Sequence, residues 1–158
     1  MKRLAAFLVL ALLSVTNASA GPSFHGALVH LTGDKSMGGT SYIVSWDAAD
    51  YDTSGFWNAA APTELTVPSG ATYCRLYGGV AMTGDAIALI LQFAKGGDTA
   101  FAGNATNFID AGAVNTLSVS SPVIPCSGGN DFELLVTADR SRTVGAFTAT
   151  YFGIEVVQ

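Results

Sequence analysis

The chain has 158 residues, of which 49% are hydrophobic and only 12% are charged, and its net charge at pH 7 is −5. This length predicts a single domain. The acidic balance, with no basic patch interleaved with aromatic residues, argues against nucleic acid and anionic lipid as partners, because such a surface repels phosphate groups.

The first twenty residues have the pattern of a secretory signal peptide. Lys2 and Arg3 form a basic start, residues 4–13 are an unbroken apolar run, and residues 18–20 read Ala-Ser-Ala. We predict cleavage after Ala20, which leaves a secreted mature chain, extracellular or periplasmic, of residues 21–158. An uncleaved membrane anchor is the alternative, although the apolar run is short for a membrane span. The mature chain has no predicted span.

Alternation of apolar and polar residues with a period of two dominates the mature chain and predicts β-strands, with no helix. The clearest predicted strands, in chain order, are residues 24–31, 42–46, 64–67, 73–82, 87–93, 117–121, 132–137 and 147–157. Alternation predicts that Leu65 and Val67 face one way, and that one face of the fifth of these strands is lined by Ile87, Leu89, Leu91 and Phe93. Residues 47–58 are predicted to form a long acidic loop with room for one short strand. Residues 99–110 are not assigned. Eight to ten short strands joined by Gly-rich turns indicate a sandwich or a barrel.

Two features within these strands carry further expectations. Gly78 and Gly79, inside a strand, indicate a bulge or a close approach of two backbones. The first strand, the strand that carries Tyr73 and the last strand are apolar on both faces. One face can be covered by the opposite sheet, whereas the other needs a long loop or a second chain. We therefore expect a homo-oligomer.

Cys74 and Cys126 are the two cysteines of a chain that carries an export signal. We predict that they form one intramolecular disulfide, because exported proteins mature in oxidising compartments. Two buried free thiols are the alternative. A zinc site is disfavoured, because no histidine pair accompanies the cysteines at a ligand spacing.

Five stretches in order resemble the globular head of complement component 1 subunit q, within the tumour-necrosis-factor-like jelly rolls. These stretches are WDAADYDTSGFW, ELTVPSGATYCRLYGGV, LILQFAKGGD, NTLSVSSPVIPCSGGNDFELLVT and TATYFGIEVV. The resemblance covers residues 24–157 and is greatest to short microbial or phage versions. The chain departs from the family in two ways, since no collagen-like repeat precedes the domain and the cysteine pair is not a family feature.

The resemblance implies an all-β, ten-strand jelly-roll sandwich of two antiparallel sheets that forms a homotrimer. It also implies that the strand at residues 72–82 lies antiparallel beside the strand at residues 117–124. The start of the first strand then meets the end of the second, which places Cys74 and Cys126 near enough to bond.

No catalytic motif is present, so we expect no enzyme activity and no cofactor. His25 and His30 lie on opposite faces of one strand, without a metal-ligand spacing. Asp47, Asp50 and Asp52 lack the spacing and the final glutamate of a calcium-binding EF-hand loop. We expect these aspartates to be solvated loop charges, and we predict no metal site.

Four side chains are candidates for ligand binding. Phe56 and Trp57, taken as exposed, are candidates for stacking on a sugar. Arg140 and Arg142 share one loop and are candidates for binding a carboxylate or an anionic sugar, with a solubilising turn as the alternative.

Three tyrosines, Tyr73, Tyr77 and Tyr151, are candidates for the subunit contact of the trimer. A place in the core of the monomer is the alternative for all three.

The leading functional hypothesis is a secreted, non-enzymatic, trimeric binding module that recognises a macromolecular or cell-surface partner, a protein or a glycan, through its loops. The second is a structural or receptor-binding component of a phage or a surface assembly. The third is a carbohydrate-binding module. A fold alone does not decide among them.

Overall fold

A computed structural model describes residues 24–38, 40–83, 88–108 and 114–157, with the backbone alone for residues 98–108. The predicted signal peptide and its cleavage after Ala20 lie outside these residues. All regular secondary structure within the described ranges is β-strand, as predicted. The same ranges hold no helix of the length and hydrophobicity that a membrane crossing requires.

Ten strands of three or more residues and four strands of two residues lie within the described ranges. They are β1 (Gly26–His30), β2 (Lys35–Ser36), β3 (Ser41–Ile43), β4 (Ala48–Asp52), β5 (Trp57–Asn58), β6 (Ala61–Thr66), β7 (Tyr73–Thr83), β8 (Ala88–Lys95), β9 (Asp98–Phe108), β10 (Asn115–Ser120), β11 (Ile124–Pro125), β12 (Asp131–Ala138), β13 (Thr143–Val144) and β14 (Tyr151–Val156).

The strands form two antiparallel sheets packed face to face. The eight-stranded sheet has the order β2-β13-β7-β14-β1-β4, and β10 and β11 also pair with β7. The six-stranded sheet has the order β5-β6-β12-β8-β9, and β3 also pairs with β12. Neighbours in the sheets are often distant in sequence, as in the β1–β14 pair. The predicted all-β jelly-roll sandwich of two antiparallel sheets is confirmed.

The core lies between the sheets and is built from alternate residues of the strands. Trp46, Phe93 and Phe152 are each at most 1% exposed, and the ring of Phe152 lies 6.1 Å from Trp46 and 5.9 Å from Phe93. Burying each such side chain stabilises the fold by about 1.5–3 kcal/mol. Leu89 and Leu91 are fully buried together with Phe93, so these three share one face of β8 as predicted. Ile87, assigned to the same face, lies outside the described residues.

The glycine pair in β7 marks a close approach rather than a bulge. The register between β7 and β14 runs without a shift through Gly78 and Gly79. A Cβ atom on Gly79 would lie 2.7 Å from the carbonyl oxygen of Ala149, and one on Gly78 would lie 2.9 Å from Cδ1 of Leu134. Both distances are shorter than carbon contacts allow. The obstacle at Gly79 is a backbone oxygen, so glycine is favoured there for steric reasons, whereas a Cβ atom on Gly78 would require the end of the Leu134 side chain to shift.

The two cysteines form the disulfide that the sequence predicts. β11 runs antiparallel to the start of β7, with Ile124 opposite Cys74, and the amide of Cys126 donates to the carbonyl of Thr72 at 3.0 Å. The bond joins Cys74 to Cys126, whose Cα atoms are 5.8 Å apart. This is the neighbourhood of strands that the resemblance implies, and the alternative of two free thiols is wrong.

Three boundaries differ from the sequence prediction. Residues 47–58 hold two strands, β4 and β5, rather than a long loop. β4 reads Ala-Ala-Asp-Tyr-Asp and is the edge strand of its sheet, paired with β1. An edge strand tolerates small and polar side chains, so this segment lacks the apolar alternation that predicts a strand. Residues 98–108, mostly unassigned, form β9 against β8. The last strand begins at Tyr151, because the amide of Thr150 donates to the carbonyl of Phe147 in a turn.

Candidate functional site

The three predicted tyrosines lie on one face of the eight-stranded sheet. In β7, Cys74 and Leu76 are fully buried in the core, whereas Tyr73 is 51% exposed and Tyr77 is half-buried. Alternation along the strand therefore places Tyr73 and Tyr77 on the face turned away from the six-stranded sheet, which we call the outer face. Tyr151 shares it, because its neighbour Phe152 is a core residue. The alternative of a place in the monomer core is wrong for these tyrosines.

Tyr77 and Tyr151 are neighbours on the outer face, whereas Tyr73 stands further along it. The ring centroids of Tyr77 and Tyr151 are 6.4 Å apart. The ring of Tyr77 also lies over Gly153 of β14, where a Cβ atom would come within 2.3 Å of the ring. Tyr73 lies four residues before Tyr77, which is roughly 13 Å along a strand. The structure thus brings two of the three predicted tyrosines together.

A fourth tyrosine, missed in the sequence, completes the cluster. The hydroxyl groups of Tyr51 and Tyr77 are 2.6 Å apart, and the ring of Tyr51 meets Phe24 edge-on at 5.5 Å between centroids. Burial, followed by the hydrogen bond with Tyr51, raises the pKa of Tyr77 well above its usual value, so its hydroxyl stays protonated. Tyr51 lies in β4, and the acidic residues on both sides of it masked the strand pattern that would have revealed its facing.

A groove of about 600 Å³ runs beside this cluster on the outer face. Leu28, Tyr77, Phe147 and Tyr151 line it together with His30 and Asp50, whose Nδ1 and Oδ1 atoms are 3.2 Å apart. Phe147 is 42% exposed, and Phe24, on the same cluster, is 53% exposed. The outer face therefore presents a continuous set of aromatic and aliphatic side chains, with His30 and Asp50 in contact at the groove.

The acidic residues of segment 47–58 have structural partners. Asp47 accepts from Nζ of Lys35 at 2.5 Å and from the amide of Thr32 at 3.2 Å. Burial acts to raise the pKa of Asp47, but the hydrogen bond from Lys35, the backbone hydrogen bonds and the charge of Lys35 outweigh it and lower the pKa below its usual value. Asp52 accepts from four backbone amides of the following turn. The prediction of solvated loop charges is therefore wrong for Asp47 and Asp52.

Among the described residues, no three His, Cys, Asp or Glu side chains are grouped so that they could hold a metal ion.

The predicted aromatic sugar platform is wrong for Phe56. Phe56 is 1% exposed and belongs to the core, so its ring cannot meet a ligand. Trp57 is partly buried and packs against the same core. Phe56 is buried because the amides of Phe56 and Trp57 both donate to Asp52, which turns the chain inward at this point.

The two predicted arginines lie at one carboxylate. Nε of Arg140 donates to Oδ2 of Asp139 at 3.1 Å, and Nη2 of Arg142 lies 3.7 Å from Oδ1 of the same side chain. The side chain of Arg140 is 54% exposed, whereas that of Arg142 is only 9% exposed. The loop therefore holds one arginine in solvent and buries the other.

Comparison with solved structures returns the crystal structure of murine APRIL at pH 5.0. It matches with a TM-score of 0.65 and 13% sequence identity, over 85% of this chain and 100% of that chain. APRIL is a tumour-necrosis-factor-family protein with a jelly-roll fold. The fold is a tumour-necrosis-factor-like jelly roll. No protein-family model matches the sequence, and no curated protein matches it. The jelly roll is thus shared at the level of the fold, while the complement-q and phage parts of the resemblance stay predictions.

Proposed function

We propose that this jelly roll is a secreted, non-enzymatic binding module that works as a homotrimer and recognises a macromolecular partner through its loops. The observation that carries the proposal is the aromatic outer face of the eight-stranded sheet, with its groove and with Phe24 and Phe147 exposed beside it. Soluble proteins that act as monomers rarely leave such a continuous apolar surface open to water. The tumour-necrosis-factor-like fold, which is commonly trimeric, supports the same proposal.

The outer face of the six-stranded sheet is less suited to a contact between subunits than the aromatic outer face of the eight-stranded sheet. Glu133 lies directly across from Glu64 on the outer face of the six-stranded sheet, and Gln92 lies across from Leu135. Two carboxylates side by side make a poor contact between identical copies, because like charges repel when water is removed. The proposed subunit contact therefore uses the sheet that carries Tyr77 and Tyr151.

Light scattering coupled to size exclusion tests the trimer. Wild-type residues 21–158 are expected to elute at three times the monomer mass at micromolar concentration. Phe147→Glu puts a charge into the groove and is expected to yield monomers, whereas Ser41→Glu, exposed on the other sheet, is the matched control and is expected to stay trimeric. A monomeric wild-type protein would overturn the proposal, and so would a Phe147→Glu variant that elutes with the wild type.

Secretion is tested separately, by the mass of the protein recovered outside the producing cell. The mature N-terminus is expected at Gly21. Recovery of the full chain in a membrane fraction would instead favour the uncleaved anchor. The disulfide between Cys74 and Cys126 supports export, since such bonds persist in oxidising compartments.

The alternative of a carbohydrate-binding module that stacks sugars on Phe56 and Trp57 loses its support, because Phe56 is a core residue and Trp57 packs against the core. A structural or receptor-binding component of a surface assembly is compatible with a trimer. No observation among the described residues favours the surface-assembly alternative over the binding module.

A further inference from the structure

A second cavity, of about 330 Å³, lies at the end of the eight-stranded sheet where β2, β13 and β7 meet. Thr143 is the cross-strand partner of Ser36 on one side and of Thr83 on the other. Directly paired side chains lie about 5 Å apart on one face of a sheet, so three hydroxyl groups stand in a row. Ser141 and Arg142 complete the lining. Every one of these five side chains is a hydroxyl or a guanidinium.

Arg142 is unusual among these side chains because its charge is buried and incompletely satisfied. The side chain is 9% exposed, and its Nε and Nη2 atoms are buried without a hydrogen-bond partner. The carboxylate of Asp139 approaches Nη2 only to 3.7 Å, which is too long for a hydrogen bond. A buried guanidinium with unpaired N–H groups is unfavourable, and Arg142 lines the cavity. Because Nε and Nη2 are closed to solvent, an acceptor oxygen in the cavity reaches them when the side chain of Arg142 turns toward it.

Arg142 shares its carboxylate partner with Arg140. Oδ2 of Asp139 accepts from Nε of Arg140 at 3.1 Å, and Oδ1 of the same side chain lies 3.7 Å from Nη2 of Arg142. One carboxylate of the loop thus faces two guanidinium groups.

We propose that Arg142 and the hydroxyl row of Ser36, Thr143 and Thr83 form a binding site for a carboxylate carried by a molecule of about monosaccharide size, such as a uronic acid. A guanidinium presents two parallel N–H groups that match the two oxygens of a carboxylate. Serine and threonine hydroxyls both donate and accept, which suits the hydroxyl groups of a sugar. The cavity volume lies at the lower end of the range of small-molecule sites.

Isothermal titration with defined probes tests the site. Glucuronate is expected to bind, whereas glucose, which lacks the charge, and acetate, which lacks the ring, are each expected to bind at least about tenfold more weakly, since each loses one set of hydrogen bonds. Inorganic sulfate, at matched ionic strength, reports whether any oxyanion suffices. Sulfate binding as tight as glucuronate binding would overturn the assignment of a carboxylate-bearing sugar.

Two arginine variants distinguish specific binding at Arg142 from general electrostatic attraction to the loop. Arg142→Met is expected to weaken glucuronate binding at least about tenfold, because a charge-assisted bidentate contact is lost. Arg140→Met removes the same charge from an exposed side chain of the same loop and is expected to change the affinity by less than about threefold. Equal losses in the two variants would overturn the proposal, because they would indicate attraction to net charge alone.

Thr143→Val provides an independent test if Arg142→Met does not fold. Valine keeps the shape of threonine and suits a strand, so the fold is expected to survive, as circular dichroism would verify. The variant removes the central hydroxyl of the row and is expected to weaken glucuronate binding by about threefold to tenfold. Unchanged affinity in folded Thr143→Val protein would contradict the role of the hydroxyl row.

Discussion

Asp52 shows how one side chain organises a whole turn. Its Oδ1 atom accepts from the amides of Ser54, Gly55 and Phe56, and its Oδ2 atom accepts from the amide of Trp57 at 2.9 Å. Three of these amides lie in the turn after β4, and the fourth belongs to Trp57, the first residue of β5. The carboxylate therefore satisfies the amides that connect β4 to β5, in a turn whose Phe56 side chain lies in the core.

Replacement of Asp52 is expected to destabilise the protein. Asp52→Ala leaves four amides without their acceptor and is expected to lower the free energy of unfolding by about 1–3 kcal/mol. Asp52→Asn keeps one acceptor oxygen and is expected to fall between the alanine variant and the wild type. Urea denaturation followed by fluorescence measures both. If Asp52→Ala unfolded at the same urea concentration as the wild type, the turn would be shown to form without the carboxylate.

The second residue-scale prediction concerns pH. Partial burial, together with the negative charges of Asp131 and Glu133, raises the pKa of Glu64 above its ordinary value. The folded protein therefore holds this proton more tightly than the unfolded chain does. Glu64 contributes stability that is present below its unfolded pKa and is lost as the pH rises through its folded pKa.

Glu64→Gln is uncharged at every pH and removes this dependence. The variant is expected to have a higher unfolding temperature than the wild type at about pH 8 and an equal one at about pH 3, where the wild-type carboxyl is protonated in both states. Glu155→Gln is the control, because Glu155 accepts from Arg75 at 3.1 Å and its loss brings no stabilisation. An unfolding temperature for Glu64→Gln below that of the wild type at pH 8 would contradict the conclusion that ionised Glu64 destabilises the folded protein.

At the scale of the element, β7 is the strand on which the jelly roll depends. It pairs with β14 and β13 on one side and with β10 and β11 on the other. Its inner face supplies Leu76 and Val80 to the core, and its outer face supplies Tyr77 to the aromatic cluster. Gly78 leaves room for Leu134 on the inner face, and Gly79 leaves room for the ring of Tyr151 on the outer face.

Gly79→Ala is expected to destabilise the protein by about 2 kcal/mol or more, because the added methyl group would lie 2.7 Å from the carbonyl oxygen of Ala149 and 2.8 Å from the ring of Tyr151. Gly33→Ala is the matched control, since a Cβ atom on Gly33 meets nothing within 4 Å, and a change below about 1 kcal/mol is expected there. Thermal unfolding of both variants measures the difference. If Gly79→Ala and Gly33→Ala changed the stability equally, the groups around Gly79 would be shown to move aside for a methyl group at little cost.

At the scale of the whole molecule, the disulfide closes a long loop of the sandwich. Cys74 and Cys126 are 52 residues apart in sequence, and the segment between them includes most of β7 and all of β8, β9, β10 and β11. The bond therefore links the start of β7 to the segment that returns to it. Closing the loop reduces the freedom of the unfolded chain, while both cysteines also pack in the core.

The double variant Cys74→Ala with Cys126→Ala is expected to lose about 4 kcal/mol of stability in the chain-entropy account of a loop of about 50 residues. Urea denaturation under non-reducing conditions measures the loss, and the wild-type protein with a reductant is the control. If the double variant were as stable as the oxidised wild type, the cross-link would contribute nothing to stability.

The sequence by itself determined the facing of side chains in the clearly alternating strands, but not the strands β4 and β9. Alternation predicted the buried faces of Leu65 and Val67 and of Leu89, Leu91 and Phe93, because the facing of a side chain in a strand depends on its position alone. The composition determined the charge of the surface. With only two cysteines, a single intramolecular disulfide was available. The facing of Tyr73, Tyr77 and Tyr151, however, stayed undecided between the core and the surface, since their strands are apolar on both sides.

Only the tertiary structure decided which side chains meet. Tyr51 reaches Tyr77 because β4 pairs with β1, β1 with β14 and β14 with β7, an order that no local pattern encodes. Arg142 is buried beside Ser36 for the same reason, since β13 joins two strands from distant parts of the chain. Alternation sets the face of a residue within its strand, whereas contacts between strands follow from how the two sheets are assembled.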